Sequence, residues 1–329
     1  MRVNSFGNTG LEVSEIGLGM AALGRPGYIN LGHAEDLDHD YSVEAMKSQA
    51  YRVLDLAYSN GIRYFDVARS YGKGESFLGS WLKANNHKYV VVGSKWGYTY
   101  TANWQVNAEQ HEVKEHSINV LSEQWPQSQQ FLGKSLKIYH IHSAKLDSGV
   151  LDNKEVLNYL WKLRDEGIVV GLSLSGQQQA ATLEKAMDIT SGRRMLFQSV
   201  QVTWNILEQS TTPVLKKAAK NGMGIIVKEA LANGRLTTKN TDPLFLDKLN
   251  LLTSIANRHK VGIDAIAIAF VLHQPWVSTV LSGAATGLQL KSNIRACDVK
   301  LSDHELSQLS KLKENTEDYW AIRSALSWN

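Results

Sequence analysis

Apolar residues recur at three- and four-residue steps from Val43 to Asn60. Val43, Met46, Ala50, Val53, Leu54 and Ala57 fall on one side of a predicted helix. Gly61 breaks the pattern, as a glycine beyond a helix end should. Ile62–Val67 follows as a short run rich in aromatic and β-branched residues, which predicts a buried strand. This unit recurs along the chain. Upstream, Arg2–Phe6 and Leu11–Ile16 flank the turn signal Gly7-Asn8-Thr9-Gly10 and predict a hairpin. Ile16–Met20 predicts a first core strand, and Ala22–Tyr41 a long irregular piece. Downstream, strands are predicted at Tyr89–Lys95, Leu136–His142, Ile168–Ser173, Ser199–Trp204, Gly224–Lys228 and Val277–Leu281. Helices are predicted from about Glu75 to Ala84, from about Ala108 through Leu121, and over Asn153–Glu166, Gln177–Ile189 and Pro213–Asn221. Further helices are predicted over Leu244–Lys260, Asp264–His273, Gly287–Ala296 and Asp303–Lys313, with a loop at Glu229–Pro243.

Short strands separated by helices predict a parallel sheet. Eight such units in this length predict an α/β protein with a closed (β/α)₈ barrel, its bottom plugged by the N-terminal hairpin. No composition break or linker interrupts residues 1–329, so one barrel domain is expected. The rival is a doubly wound open sheet. It needs a three-glycine phosphate turn after the first strand, and Gly17-Leu18-Gly19 lacks the third glycine.

Composition changes this picture little. Of 329 residues, 43% are hydrophobic and 20% charged, an ordinary globular balance. A net charge of +3 from scattered basic residues does not point to nucleic acid. The single Cys297 excludes an internal disulfide and fits a reducing compartment. No apolar run reaches membrane-spanning length and the N-terminus lacks a signal-peptide core, so a cytoplasmic location without a membrane partner is expected. His33, Glu35, Asp36, Asp38, His39 and Asp40 gather in the irregular piece. They lack the spacing of a metal-ligand motif, so a solvated acidic loop is expected and no metal site.

In a barrel, chemistry collects where strands end at their C-terminal side. Those ends carry Asp66, Lys95 and His142, with Tyr71 on the loop after the first. Taken singly, a strand-end lysine is a solvated charge, a tyrosine beside glycine is packing, and a histidine such as His140 is a hydrogen-bonded structural residue. Four such groups at one rim argue for a proton-delivery device. A free tyrosine titrates near ~10, and a nearby ammonium lowers that value. Lys95 can supply this charge, Asp66 can hold Lys95, and His142 can orient a carbonyl oxygen. The reaction implied takes a carbonyl to an alkoxide, with hydride from a cofactor because no side chain delivers one.

At these residues the chain resembles the aldo-keto reductase superfamily, from Gly17 to Asn293. Asp66-Val67-Ala68-Arg69-Ser70-Tyr71-Gly72 resembles the family's Asp-x-Ala-x-x-Tyr-Gly signature, Ser94-Lys95 its strand-end lysine and Ile141-His142 its strand-end histidine. The resemblance implies Tyr71 as general acid, Lys95 and Asp66 tuning it, and His142 orienting the substrate. It implies a nicotinamide cofactor held by Gly19 and Met20, by Ser173 and Gln201 at the carboxamide, by Trp204 stacked on the ring, and by Leu231. Gly283, Gln289 and Asn293 would grip the adenosine end. Leu174 replaces the family's usual Asn. Gly283 and Gln289 are uncharged where members specific for the phosphorylated cofactor often carry Lys or Arg nearby. NADP is thus the family default, with NAD possible, and Lys291 or Arg295 would compensate.

The expected substrate is a small carbonyl compound or sugar, in a pocket drawn from Tyr28, Trp96, Tyr98, Trp104 and Tyr319-Trp320. Arg25 and Arg69 could bind an anionic group but read better as solvated surface charge. Two rivals stand beside the reductase: a barrel lyase using Lys95 as a Schiff-base nucleophile, and a non-catalytic cofactor-sensing subunit. The oligomeric state is not readable.

Overall fold

The computed structural model describes residues 1–85 and 87–328. A hairpin of β1 (Val3–Ser5) and β2 (Glu12–Ser14) leads into β3 (Ile16–Gly19). Short helices α1 (Ala21–Gly24) and α2 (His33–Asp36) interrupt the piece expected to be irregular. Next come α3 (Val43–Ser59), β4 (Tyr64–Asp66), α4 (Gly74–Asn85) and β5 (Val91–Trp96). A second hairpin, β6 (Tyr98–Tyr100) with β7 (Glu112–Lys114), precedes α5 (Ile118–Leu132), β8 (Leu136–Ala144), α6 (Lys154–Asp165), β9 (Val169–Leu174) and α7 (Gln179–Met187). After a small hairpin of β10 (Thr190–Ser191) and β11 (Arg194–Met195) follow β12 (Ser199–Thr203), α8 (Thr212–Lys220), β13 (Gly224–Lys228), α9 (Leu246–His259) and α10 (Ile263–Leu272). The chain finishes with β14 (Thr279–Ser282), α11 (Gly287–Ile294), α12 (Asp303–Ser310) and α13 (Thr316–Ser324). Among the described residues eight parallel strands close a barrel in the order β12-β13-β14-β3-β4-β5-β8-β9. No described helix is long and apolar enough to cross a membrane.

The helices form for local reasons. Ser42 caps α3, its hydroxyl accepting from the Ala45 N–H, and Met46, Ala50, Val53, Leu54 and Ala57 are the buried face. Thr286 with Gln289, and Ser302 with Glu305, close capping boxes on α11 and α12. The helix expected near Ala108–Leu121 is a correction: the chain there is β7, and the helix runs over Ile118–Leu132. Pro126 lies inside it on the exposed face, so the Ser122 carbonyl it leaves without a helical donor is on the solvent side.

The barrel interior is layered. Tyr64, Val91, Ile138, Val169 and Ile226 meet at the strand starts, and the hairpin seals them with Phe6 and Val13. Glycines make room for the larger side chains: a Cβ at Gly93 would lie 2.4 Å from Tyr64 Oη, and one at Gly171 would lie 2.6 Å from His140 Cδ2. Further along the strands the inward face turns polar, two residues on at Asp66, His140 and Lys228 and four on at Lys95 and Ser173.

Candidate active site

Period-two alternation carries Asp66 inward on β4, Lys95 on β5, His140 and His142 on β8, and Gln201 on β12. Asp66 registers with Gly93 and Lys95 with His140, so each strand-end group sits two residues beyond the partner of the one before it, and the long Lys95 side chain reaches back to Asp66. Lys95 is fully buried, and its Nζ lies 2.5 Å from Asp66 Oδ2. The ammonium also donates to the Val67 carbonyl at 3.0 Å and to the Tyr71 hydroxyl at 3.4 Å. All three of its donors are therefore matched. The other Asp66 oxygen accepts from Gln201 Nε2 at 2.7 Å and from Tyr64 Oη at 3.1 Å. A buried ion pair persists only when its leftover lone pairs and protons are bonded, and this one meets that condition.

Tyr71 is held from behind. Its carbonyl accepts from Gly74, Lys73 N–H donates to the Gly24 carbonyl at 2.8 Å, and a Cβ on Gly24 would lie 2.4 Å from the Tyr71 oxygen. The Arg25 guanidinium lies 5.3 Å from the centre of its ring. The His142 ring meets Tyr71 edge to face at 5.7 Å and lies 4.8 Å from Tyr98. Its Nδ1 lies 3.5 Å from Ser70 Oγ.

Burial, then the Asp66 carboxylate, push the Tyr71 phenol above its ordinary value, with Arg25 opposing. The net lowering expected at Tyr71 is thus not found, and the phenol keeps its proton. Burial, then Lys95, Arg25 and Lys228, hold His142 well below the ordinary histidine range, so its imidazole is neutral.

The site opens into a cavity of about 720 Å³ lined by Tyr71, His142, Gln201 and Asp66 at one end and by Gly283, Gln289 and Asn293 at the other. Gly19 and Leu231 also line it. Met20 is buried and touches the site through its backbone, its N–H donating to the Asp66 carbonyl at 2.8 Å. Ser173 is buried, with Oγ accepting from the Ser143 N–H at 2.8 Å, and Ser175 lines the cavity in its stead. Trp204 is a correction. Gln201 and Thr203 point inward, so Trp204 points outward. There it stacks on Phe270 at 5.5 Å, meets Trp276 edge-on and donates to Thr212 Oγ1.

At the far end, Gln289 caps α11 and donates to Asp36 Oδ2 at 2.7 Å. The Asn293 oxygen accepts from Ser282 Oγ at 2.8 Å and its nitrogen donates to Asp264 Oδ2 at 2.7 Å. Lys291 does not line the cavity, and Arg295 donates to the Lys260 carbonyl. The lining cation here is Lys239, paired with Asp36 at 2.6 Å.

Of the expected pocket aromatics, Tyr28 and Tyr98 line the cavity. Trp96, Tyr319 and Trp320 are buried in the core, and Trp104 donates to the Tyr41 carbonyl. Arg25 is a further correction: it is 4% exposed, pairs with Glu112 at 2.8 Å and faces the cavity. Arg69 pairs with Glu75, away from the cavity. Lys228, Glu229, Arg323 and Trp328 also line it. The first of these carries the same strand-end signal as Lys95; the others are placed by loops and the last helix, which period reading does not reach.

The model of the aldo/keto reductase family matches residues 15–314. The chain is 26% identical over 319 residues to a D-threo-aldose 1-dehydrogenase of Pseudomonas sp, covering 86% of this chain and 89% of the relative. It is 24% identical over 331 residues to the aldo-keto reductase str7 of Strobilurus tenacellus, covering 93% and 90%. Its fold is similar to that of aldo-keto reductase AKR11C1 from Bacillus halodurans in the holo form, with a TM-score of 0.73 at 21% identity over 95% of this chain and 97% of the other.

Proposed function

The chain belongs to the aldo/keto reductase family, and on that premise we propose that Tyr71 is the proton donor, with Lys95 and Asp66 positioning its hydroxyl and neutral His142 orienting the carbonyl. The protein is an NAD(P)-dependent oxidoreductase that interconverts small carbonyl compounds and alcohols. The observation that carries the assignment is the 3.4 Å contact between Tyr71 Oη and a Lys95 ammonium locked on Asp66.

The cavity residues fit a dinucleotide. Its volume lies within the range of small-molecule sites. Asn233, which lines it, keeps a buried Oδ1 with no partner, an acceptor available to a ribose hydroxyl or an amide. Gln201 spends its amide nitrogen on Asp66, which leaves its oxygen for a carboxamide N–H. The bound cofactor supplies the hydride. The protein supplies the rest. Tyr71 gives its proton to the carbonyl oxygen as negative charge develops there. Lys95 stabilises the phenolate left behind, and its bond to Asp66 holds the ammonium still while this happens. His142 has a neutral N–H to donate to the same oxygen. In the reverse direction Tyr71 takes the proton back.

A Schiff-base role for Lys95 finds no support, because all its N–H groups are engaged in the wall. For the substrate we propose a polar carbonyl compound, sugars included. The Arg25–Glu112 pair offers donor and acceptor side by side, among the rings of Tyr28, Tyr98 and Trp328. For the cofactor we propose that preference for the phosphorylated form rests on Lys239. Lys239→Met is expected to weaken NADPH binding several-fold more than NADH binding, read by fluorescence titration. Tyr71→Phe tests the main assignment. Carbonyl reduction is expected to fall by at least ~10³-fold while dinucleotide affinity stays within about threefold. Turnover near the parent rate overturns it.

A further inference from the structure

A second strand-end ammonium stands outside the four-residue constellation. Lys228 closes β13 two residues past Ile226 of the sealed apolar layer, so it shares the inward face and reaches the cavity. It registers with Thr203, itself two residues beyond Gln201 on β12. Its Nζ donates to Thr203 Oγ1 at 2.6 Å and to Glu229 Oε1 at 3.4 Å. Among the described residues its third N–H has no acceptor.

Glu229 is held in turn by Arg323, whose Nη2 lies 2.8 Å from Oε1, and its backbone sits at φ +55°. Burial raises the Glu229 carboxyl, but Lys228 and Arg323 outweigh it and hold it at about 2, so the group is ionised. Asp66 balances Lys95, and Glu112 balances Arg25. Two cations share the single carboxylate of Glu229, so this stretch of the wall keeps one positive charge in surplus.

In a dinucleotide site this surplus has a consequence. The oxidised and reduced cofactors carry the same phosphates. They differ at the nicotinamide, which is cationic when oxidised and neutral when reduced. A fixed cation in the wall, on the strand paired with that of Gln201, therefore discriminates between the two forms. At cavity-scale separations such a charge is worth on the order of ten- to hundredfold in affinity.

We propose, on the reading of the cavity as the dinucleotide site, that Lys228 biases it toward binding the reduced over the oxidised cofactor. Glu229 moderates the bias by neutralising part of the charge. The test is equilibrium binding of NADPH and NADP⁺, and of NADH and NAD⁺, to the full chain by calorimetry. Lys228→Met is expected to lower the ratio of oxidised to reduced dissociation constants by about tenfold or more. Lys228→Arg keeps the charge and should keep the ratio within about twofold of the parent. Glu229→Gln should raise the ratio. An unchanged ratio in Lys228→Met overturns the proposal. So does equal weakening of both forms, which would make Lys228 a phosphate contact. If the parent binds no dinucleotide at all, the reading of the cavity itself fails, a result distinct from both. Lys228→Met is close in size to lysine and carries the test if Glu229→Gln does not fold.

Discussion

The two halves of the barrel interior are built on the same strands, two to four residues apart, and have opposite characters. At the strand starts Tyr64, Val91, Ile138, Val169 and Ile226 make an apolar layer closed by Phe6. At the strand ends Asp66, Lys95, His142, Gln201 and Lys228 make a charged floor under a cavity. One half is sealed from water and held by packing. The other carries charges whose stability depends on one another. Burying a charge is tolerable only with its partner in place, so the mouth should fail as a unit while the bottom fails by volume. Tyr64 is the seam: its ring packs at the bottom and its hydroxyl bonds Asp66.

This contrast sets the order of expected effects. Asp66→Asn removes the counter-charge of a fully buried ammonium. It should cost about 3–5 kcal/mol of stability and cut turnover at least ~10²-fold, read by urea unfolding and steady-state rates. Phe6→Ala should cost a similar ~3–5 kcal/mol by leaving a cavity, yet leave turnover per folded molecule within twofold. If Phe6→Ala lowers turnover as Asp66→Asn does, the division into halves is wrong. The histidines sharpen the comparison. Burial, then Lys95, lower His140 from its ordinary 6.5 to about 3. The unfolded chain therefore takes up a proton below about 6.5 that the folded chain refuses, and stability falls as pH drops from about 6.5 toward about 3. His140→Gln loses its bond to Ser199 Oγ, 2.8 Å in the parent, at every pH. It should also flatten the pH dependence by about 1.4 kcal/mol per pH unit within that window. An unchanged slope would contradict the buried neutral state. Smallest is the seam: Tyr64→Phe keeps the ring and drops one bond to Asp66, for about 1 kcal/mol and a rate loss under about tenfold.

Much of this division is legible in the sequence. Runs such as Ile62–Val67 and Leu136–His142 announce strands by composition, and the reactive side chain comes at the end of each. Trp204 shows how the same rule can be misapplied. Its spacing from Gln201 suggests a ring contact, but three steps along a strand reverse the face, and parity sends it outward. Lys228 is legible by the same parity, although its strand end looks like any other. The α5 helix is hidden because Pro126 breaks a helical pattern in sequence without breaking it on an exposed face. Arg25 and Trp328 are hidden for a different reason. Their contact in the cavity wall, the Arg25 guanidinium 4.7 Å over the Trp328 ring, is set by loops and the far end of the chain, where no periodicity operates.

The central claim is that Tyr71 and Lys95 act as one proton-donating unit at the mouth. A double-mutant cycle on turnover tests it, with Tyr71→Phe, Lys95→Met and the pair measured on folded protein at saturating reduced cofactor. The double variant is expected to be no slower than the slower single variant, within about threefold. Losses that multiply would show two groups acting independently and contradict it.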